Sequence, residues 1–385
     1  MTQLFDTGER TRTTSRRYNE PMYSFLNTSA WPSAERVRQF WEGWFAQYDD
    51  GKKPALAARF RSCDYHPHLS AFLELFTLAV LKGGGYEVEI EPPAGSRALE
   101  FLASIKERDL KLYAECTATG RRVAEAGADA READVLDAID KVPTGRFILG
   151  VNFLRRGAAA PPLRDIRQGL VAWLSSLEEK ETHRSVWTWE DRGWTIKFWA
   201  VPAESDDTDD DGGGLGIIGP RIFDASEHLR LRAAIDRKAS KYGSLDEPLL
   251  VVTDSTEHQT ERDLMTALLG DVLWHVNMVT RDVTVGREPN GVFYDAKGPR
   301  NVALSAVMHG HFGALSFADI DRSLVLVHHP FASRPLPLGF FPFCEERHFD
   351  RETGKLVAAP PTMSVGEFFG LPAGWPFFDQ DPRRE

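Results

Sequence analysis

The sequence predicts an α/β chain, of the α+β kind, with a central mixed sheet laid down in the order helix, three strands, helix, strand, and a C-terminal α/β extension packed on that core. Three observations predict it. A helix apolar almost all round, HLSAFLELFTLAVLK at 68–82, stops at Gly83-Gly84-Gly85. Three short strand-like runs follow directly: YEVEIEP at 86–92, ALEFLASI at 98–105 and LKLYAECTA at 110–118. Helical spacing then returns over 129–141, ahead of a strongly apolar strand, RFILGVNFL, at 146–154.

The first 20 residues are polar and read as a poorly ordered lead-in, which reaches to about residue 32. SAERVRQFWEGWFAQY (33–48) opens the core as a helix, with Ser33 as N-cap and Glu35 in the first turn. Beyond the strand at 146–154 stands a helix at 163–178. A hairpin follows, SVWTWEDRGWTIKFWAVP, turning at Asp191-Arg192-Gly193 between two aromatic-rich runs. The core is therefore expected over 33–203. ESDDTDDDGGGLG begins an acidic, glycine-rich linker over 204–220; its glycine cluster lacks the Lys-Ser/Thr of a phosphate loop. The region 221–385 supplies a helix at 227–243, a buried strand at 248–254, and a Pro-, Phe- and Gly-rich covering segment from about 331.

Composition narrows the function. The 385 residues are 42% hydrophobic and 27% charged, as in soluble globular proteins. No run of about 18 apolar residues exists to span a membrane, and the start of the chain has no apolar signal core. Three scattered cysteines, Cys63, Cys116 and Cys344, indicate neither a disulfide framework nor a zinc ribbon and suit a reducing cytoplasm. A net charge of −11 argues against a non-specific coat on nucleic acid. It leaves room for a local basic groove, for which Arg10, Arg12, Arg16, Arg17, Arg59 and Arg61 are the candidates; the first four also read as ordinary surface arginines.

Two acids stand inside predicted strands, Glu100 and Glu115. By the two-residue period, Tyr113, Glu115 and Thr117 share one face, and Leu112, Ala114 and Cys116 the other. If residues 106–109 (KERD) form the hairpin loop, Glu100 and Glu115 stand directly opposite, an unfavourable like-charge pair. Glu74 is the one acid of the apolar helix at 68–82. Buried acids need a partner, a proton or a metal. Three of them on one helix and two strands suit a hard divalent ion, while Arg59 or Arg61 would be the ionic alternative for Glu74.

The element order and these acids resemble the PD-(D/E)xK nuclease-like superfamily, whose fold is restriction-endonuclease-like. Residues 23–118 are similar to a family of uncharacterised bacterial proteins with this core, through YSFLNTSAWPSAERVRQFWEGWF, ARFRS, FLELFTLAVLKGGGYEVEIEP, LEFL and LYAECT. WEDRGWTIKFWAVP, RKASKYGSLDEPLLVV and HHPFASRPLP extend the likeness over most of the chain. The resemblance implies phosphodiester hydrolysis with Mg²⁺ (or Mn²⁺) held by Glu74, Glu100 and Glu115. Two departures stand out: Leu99-Glu100 replaces Pro-Asp, and Thr117 occupies the lysine position. Lys238 or Lys241, from RKASKYG, or Lys111, about 13 Å back along the strand, are the candidate replacements. Without one, the fold would serve as a binding or scaffold module. A weaker constellation is histidine-based: His66 and His68, then His309, His311, His328 and His329, with His309 and His311 on one face as Zn²⁺ ligands if that segment is extended.

Overall fold

The computed structural model describes residues 2–94, 97–105, 110–119, 123–177, 184–202, 215–218, 227–254, 261–276, 280–310, 313–318, 324–350 and 352–377. The helices are α1 (Met22–Thr28), α2 (Pro32–Ala46), α3 (Lys53–Phe60), α4 (Tyr65–Gly83), α5 (Val123–Ile139), α6 (Leu163–Ser175), α7 (Glu227–Ala239), α8 (Glu261–Leu269) and α9 (Val365–Phe368). The longer strands are β1 (Glu87–Ile90), β2 (Phe101–Ile105), β3 (Leu110–Ala118), β4 (Phe147–Arg155), β5 (Ser185–Asp191), β6 (Trp194–Pro202), β7 (Leu215–Ile218) and β8 (Leu249–Asp254). They continue with β9 (Val272–Val276), β10 (Val283–Arg287), β11 (Leu304–Gly310), β12 (Leu324–His328), β13 (Cys344–Phe349) and β14 (Leu356–Ala359).

Two compact units result: residues 1–13, 21–120 and 225–381 make one, residues 14–20 and 121–224 the other. The first is built on an eight-stranded mixed sheet in the order β1-β2-β3-β8-β11-β12-β13-β14. β1, β2 and β3 are antiparallel neighbours, and β3 runs parallel to β8 and β8 to β11. All six residues of β8 are buried, as its central, parallel position requires. α4 covers one face, packing Leu69, Phe72, Phe76 and Val80 among Ala114, Cys116, Leu250 and Val252. The other face carries Leu249, Val251 and Val307 under Leu231 and Ile235 of α7 and Leu264 and Leu268 of α8. Alternate residues of one strand thus enter different cores.

The second unit is a four-stranded sheet, β5-β6-β4-β7, with Val135 and Ile139 of α5 and Ile166 and Leu170 of α6 in its own core. β5 and β6 turn tightly through Arg192 (φ 46°) and Gly193 (φ 82°), both left-handed, as a two-residue hairpin turn requires.

The structure corrects the sequence reading at five places. The helix at 129–141 and the strand at 146–154 do not continue the sheet of β1, β2 and β3: α5 and β4 belong to the second unit, and β8 is the strand that pairs with β3 on its far side. The boundaries 33–203 and 221–385 therefore cut across both units, because β3 pairs with a strand from beyond the intervening segment. Part of the expected linker, Leu215–Ile218, is a strand parallel to β4, while 106–109 and 204–214 lie outside the described residues. The expected covering tail supplies β13 and β14 to the main sheet. Among the described residues, no helix is long and apolar enough to cross a membrane.

The fifth correction concerns the lead-in. Leu4 and Phe5 are 0% and 3% exposed. Their backbone N–H groups donate to Glu42 at 2.8 and 2.7 Å, and Arg61 donates to the carbonyls of Leu4 and Gln3. Phe5 stacks on Tyr23 and meets Phe60 edge-on, each at 5.8 Å between centroids. Phe5→Ala is expected to lower stability by about 3–5 kcal/mol in urea unfolding, a loss typical of a core aromatic. A change within about 0.5 kcal/mol, the usual effect at a surface position, would restore the lead-in.

Candidate active site

β2 and β3 pair from Phe101–Ala114 to Ile105–Leu110. Carried one residue outward, this register sets Glu100 opposite Glu115, the like-charge arrangement expected from the sequence. Glu115 is wholly buried, on the α7 face of the sheet. What compensates the two charges arrives from α7. The Lys238 ammonium donates to Glu100 Oε1 at 2.7 Å and to Glu115 Oε2 at 2.6 Å.

The remaining carboxylate oxygens are also engaged. Glu100 Oε2 accepts the Cys116 backbone N–H, while Glu115 Oε1 accepts the Tyr242 hydroxyl and lies 3.4 Å from Lys241 Nζ. The Tyr242 oxygen is also 2.9 Å from the Ala98 carbonyl oxygen. Two acids and two lysines leave the cluster without net charge.

Burial alone would draw the Lys238 ammonium toward neutrality. The charges of Glu100 and Glu115, with the hydrogen bonds to both, outweigh burial and hold its pKa above the ordinary lysine value of 10.5. Burial pushes the Glu100 carboxyl upward, as does Glu115, against the opposing pull of Lys238. Lys238 is thus an ammonium at neutral pH, a source of positive charge and no base.

Glu74 lies elsewhere. α4 packs on the opposite face, that of Ala114 and Cys116. Glu74 accepts from the Tyr48 hydroxyl and from Arg59 at 2.7 Å, the ionic alternative considered from sequence. Burial and then the Glu74 charge raise the Tyr48 pKa, so the phenol keeps its proton and donates. No hydrogen bond joins Glu74 to Lys238, Glu100 or Glu115 among the described residues. Thr117 is buried beside Thr253 of β8, whose hydroxyl is 2.7 Å from His309 Nδ1. The Cys116 thiol, next to Thr77 Oγ1 at 3.2 Å, is raised well above its ordinary pKa, chiefly by burial, and is no nucleophile.

Among the described residues, the histidines do not come together in a group of three or more that could hold a metal ion. His68 Nδ1 meets the Phe60 carbonyl; His328 Nε2 lies 3.7 Å from Glu346; His329 Nε2 meets the Arg300 carbonyl; His311 is outside the described residues. Burial lowers the His329 pKa to about 4, so it is neutral. Five of the six arginines that suggested a basic groove have side-chain contacts within the chain. Arg10 donates to the carbonyls of Asn27, Gly8 and Asp6, Arg12 lies over the Phe25 ring, Arg16 donates to the Glu20 carbonyl, and Arg59 and Arg61 are engaged as above.

Among the described residues, no group of three or more His, Cys, Asp or Glu side chains is placed to hold a metal ion. The expected three-acid set is therefore not formed. The Glu100–Glu115 pair does fit a cation, since it already grips an ammonium with one oxygen from each acid, and Mg²⁺ commonly takes one or two carboxylates and completes its shell with water and substrate phosphate. Sequence reasoning missed Tyr242, although its spacing was a signal: Lys238, Lys241 and Tyr242 stand three and four residues apart, the interval that brings side chains to one side of a helical turn.

Comparison with protein-family models, with curated proteins and with solved structures gave no match.

Lys238→Met should lower stability by about 3–5 kcal/mol near neutral pH, the cost of stranding a buried carboxylate. Because the folded pKa of Lys238 is raised, its stabilising contribution is complete below 10.5 and is lost as pH rises through the higher folded value. The gap between wild type and variant in denaturant unfolding is thus expected to be constant from pH 7 to 10 and to narrow above 10.5. A gap that widens there would contradict the assignment.

Proposed function

We propose that the chain is a restriction-endonuclease-like hydrolase of phosphodiesters, of the PD-(D/E)xK kind, centred on Glu100, Glu115 and Lys238. One observation carries the reading. The helix that precedes the strand parallel to β3 sends Lys238 to both carboxylates, and so supplies the lysine that Thr117 does not. The order α4, β1, β2, β3, α7, β8 supports it as well.

In this reading Glu100 and Glu115 would hold a Mg²⁺ or Mn²⁺ ion, which supplies positive charge at the scissile phosphate and an acidified bound water. Lys238, an ammonium across the physiological range, stabilises negative charge as it develops on the phosphoryl oxygens. Glu100 accepts the Cys116 N–H at Oε2, which turns Oε1 toward Lys238 and the place an ion would take. Tyr242 fixes the rotation of the Glu115 carboxylate by holding Oε1, leaving Oε2 toward Glu100 and Lys238. Glu74, held by Arg59 and Tyr48, shapes the opposite face and takes no part in the chemistry. A nucleic acid is the substrate class, and a reducing cytoplasm suits the three free cysteines.

A second reading is favoured by a specific observation. Every carboxylate oxygen of Glu74, Glu100 and Glu115 already has a partner within the chain, as suits a nuclease fold kept for binding or scaffolding. The two readings part on turnover. With labelled single- and double-stranded DNA and RNA in Mg²⁺ or Mn²⁺, the first expects cleavage that falls at least about 10²-fold in Glu115→Ala and is little changed in Glu74→Gln. No cleavage of any substrate would leave the scaffold reading; metal-independent cleavage untouched by Glu115→Ala would overturn the assigned centre.

A further inference from the structure

The Glu100–Glu115 cradle holds one cation in a space made by two facing carboxylates, and that cation is covalently part of the chain. Lys238 Nζ is 2.7 Å from Glu100 Oε1 and 2.6 Å from Glu115 Oε2, so the pair is spanned by a single ammonium. The outer oxygens are committed elsewhere, to the Cys116 N–H and to Tyr242 with Lys241 nearby. A second cation between Glu100 and Glu115 would therefore use the same two oxygens that Lys238 uses. It would also meet a like charge at contact distance, where repulsion in a partly buried site is strong.

We propose that Lys238 is an exchangeable internal cation: its ammonium closes the Glu100–Glu115 cradle when the chain is alone, and a divalent ion enters only by displacing it. The proposal deepens the nuclease-like reading and rests on it for the class of ion. Two consequences follow from the chain's own residues. Without metal, the buried Glu115 is never left uncompensated, so the αβββαβ core does not depend on an ion to fold. With metal, the ammonium leaves the carboxylates and becomes available to the negative charge of a phosphate, so Lys238 serves structure and chemistry in turn. Lys241 differs in where it meets the pair: it lies 3.4 Å from Glu115 Oε1, the outer oxygen that also accepts from Tyr242.

The test is Mn²⁺ affinity by titration calorimetry on the full chain, comparing wild type with Lys238→Met and Lys241→Met. Exchange predicts that Lys238→Met binds Mn²⁺ about tenfold or more tightly than wild type, as when a contacting like charge is removed, with Lys241→Met within about threefold. Unchanged or weaker binding in Lys238→Met, equal gains in both variants, or no Mn²⁺ binding by any of the three would overturn it. Should Lys238→Met fail to fold, wild type alone decides. Amine-reactive labelling resolved by peptide mass spectrometry should modify Lys238 faster with Mn²⁺ than without, and an unchanged rate would overturn exchange. Cleavage keeps the two ideas apart. Wild-type activity lost in Glu115→Ala alongside unchanged Mn²⁺ affinity in Lys238→Met would remove the exchange and leave the nuclease reading standing. Tighter binding in Lys238→Met without cleavage by any protein would do the reverse.

Discussion

Two carboxylates placed opposite one another on adjacent antiparallel strands repel, and one of them, Glu115, has no access to water at all. At about 4 Å such a pair would cost several kcal/mol even at an effective dielectric of about 20. The first unit is arranged around removing that cost. Lys238 reaches both acids, which requires α7 to lie over the face of β3 that carries Glu115; the contact of Leu231 and Ile235 with Leu249, Val251 and Val307 fixes it there. Apolar packing sets the position of the helix, and the ion bridge sets which residue of the helix meets the strands.

That dependence is long-range in sequence. Lys238 is separated from Glu100 by 138 residues and from Glu115 by 123, and the second unit occupies most of the gap. Closing a loop of that size costs little more than closing one half as long, because loop entropy grows only logarithmically with length. The chain returns through the β3–β8 pairing and the α7 contact, and the segment with its own core that stands between β3 and α7 in sequence carries no large loop-closure penalty.

This also explains what was legible in the sequence and what was not. The period of two assigned Glu115 and Thr117 to one face, and the length of the KERD segment set Glu100 opposite Glu115; both are local properties. α4 was readable because its apolar residues surround it, and β3 because its nine residues run unbroken from Leu110 to Ala118. The choice between 129–141 with 146–154 and 227–239 with 249–254 as completion of the core was not local. Both pairs have the same pattern of helix and apolar strand, and only the pairing partner of β3 separates them. β13 was invisible for a different reason: CEERHF buries only Cys344 and Glu346 and is charged in its interior, so composition spoke against a strand. The third acid misled because a carboxylate on a buried helix signals that a partner exists without naming it. Glu74 found Arg59 and Tyr48 on its own face.

The same logic bears on what Thr117 means. A lysine at 117 would stand on β3 only two residues beyond Glu115, on the same face, in the row that β8 and β11 continue with Thr253 and His309. That row is buried; Thr117 is 6% exposed and Thr253 0%. An ammonium there would be desolvated without a carboxylate in register on β8, where Thr253 stands opposite Thr117. Delivered instead from α7, the ammonium reaches both acids at once and leaves the row beyond Glu115 to Thr117, Thr253 and His309. In the proposed reading, threonine at 117 and lysine at 238 go together: the helix carries the cation, and the buried strand position opposite Thr253 keeps an uncharged side chain.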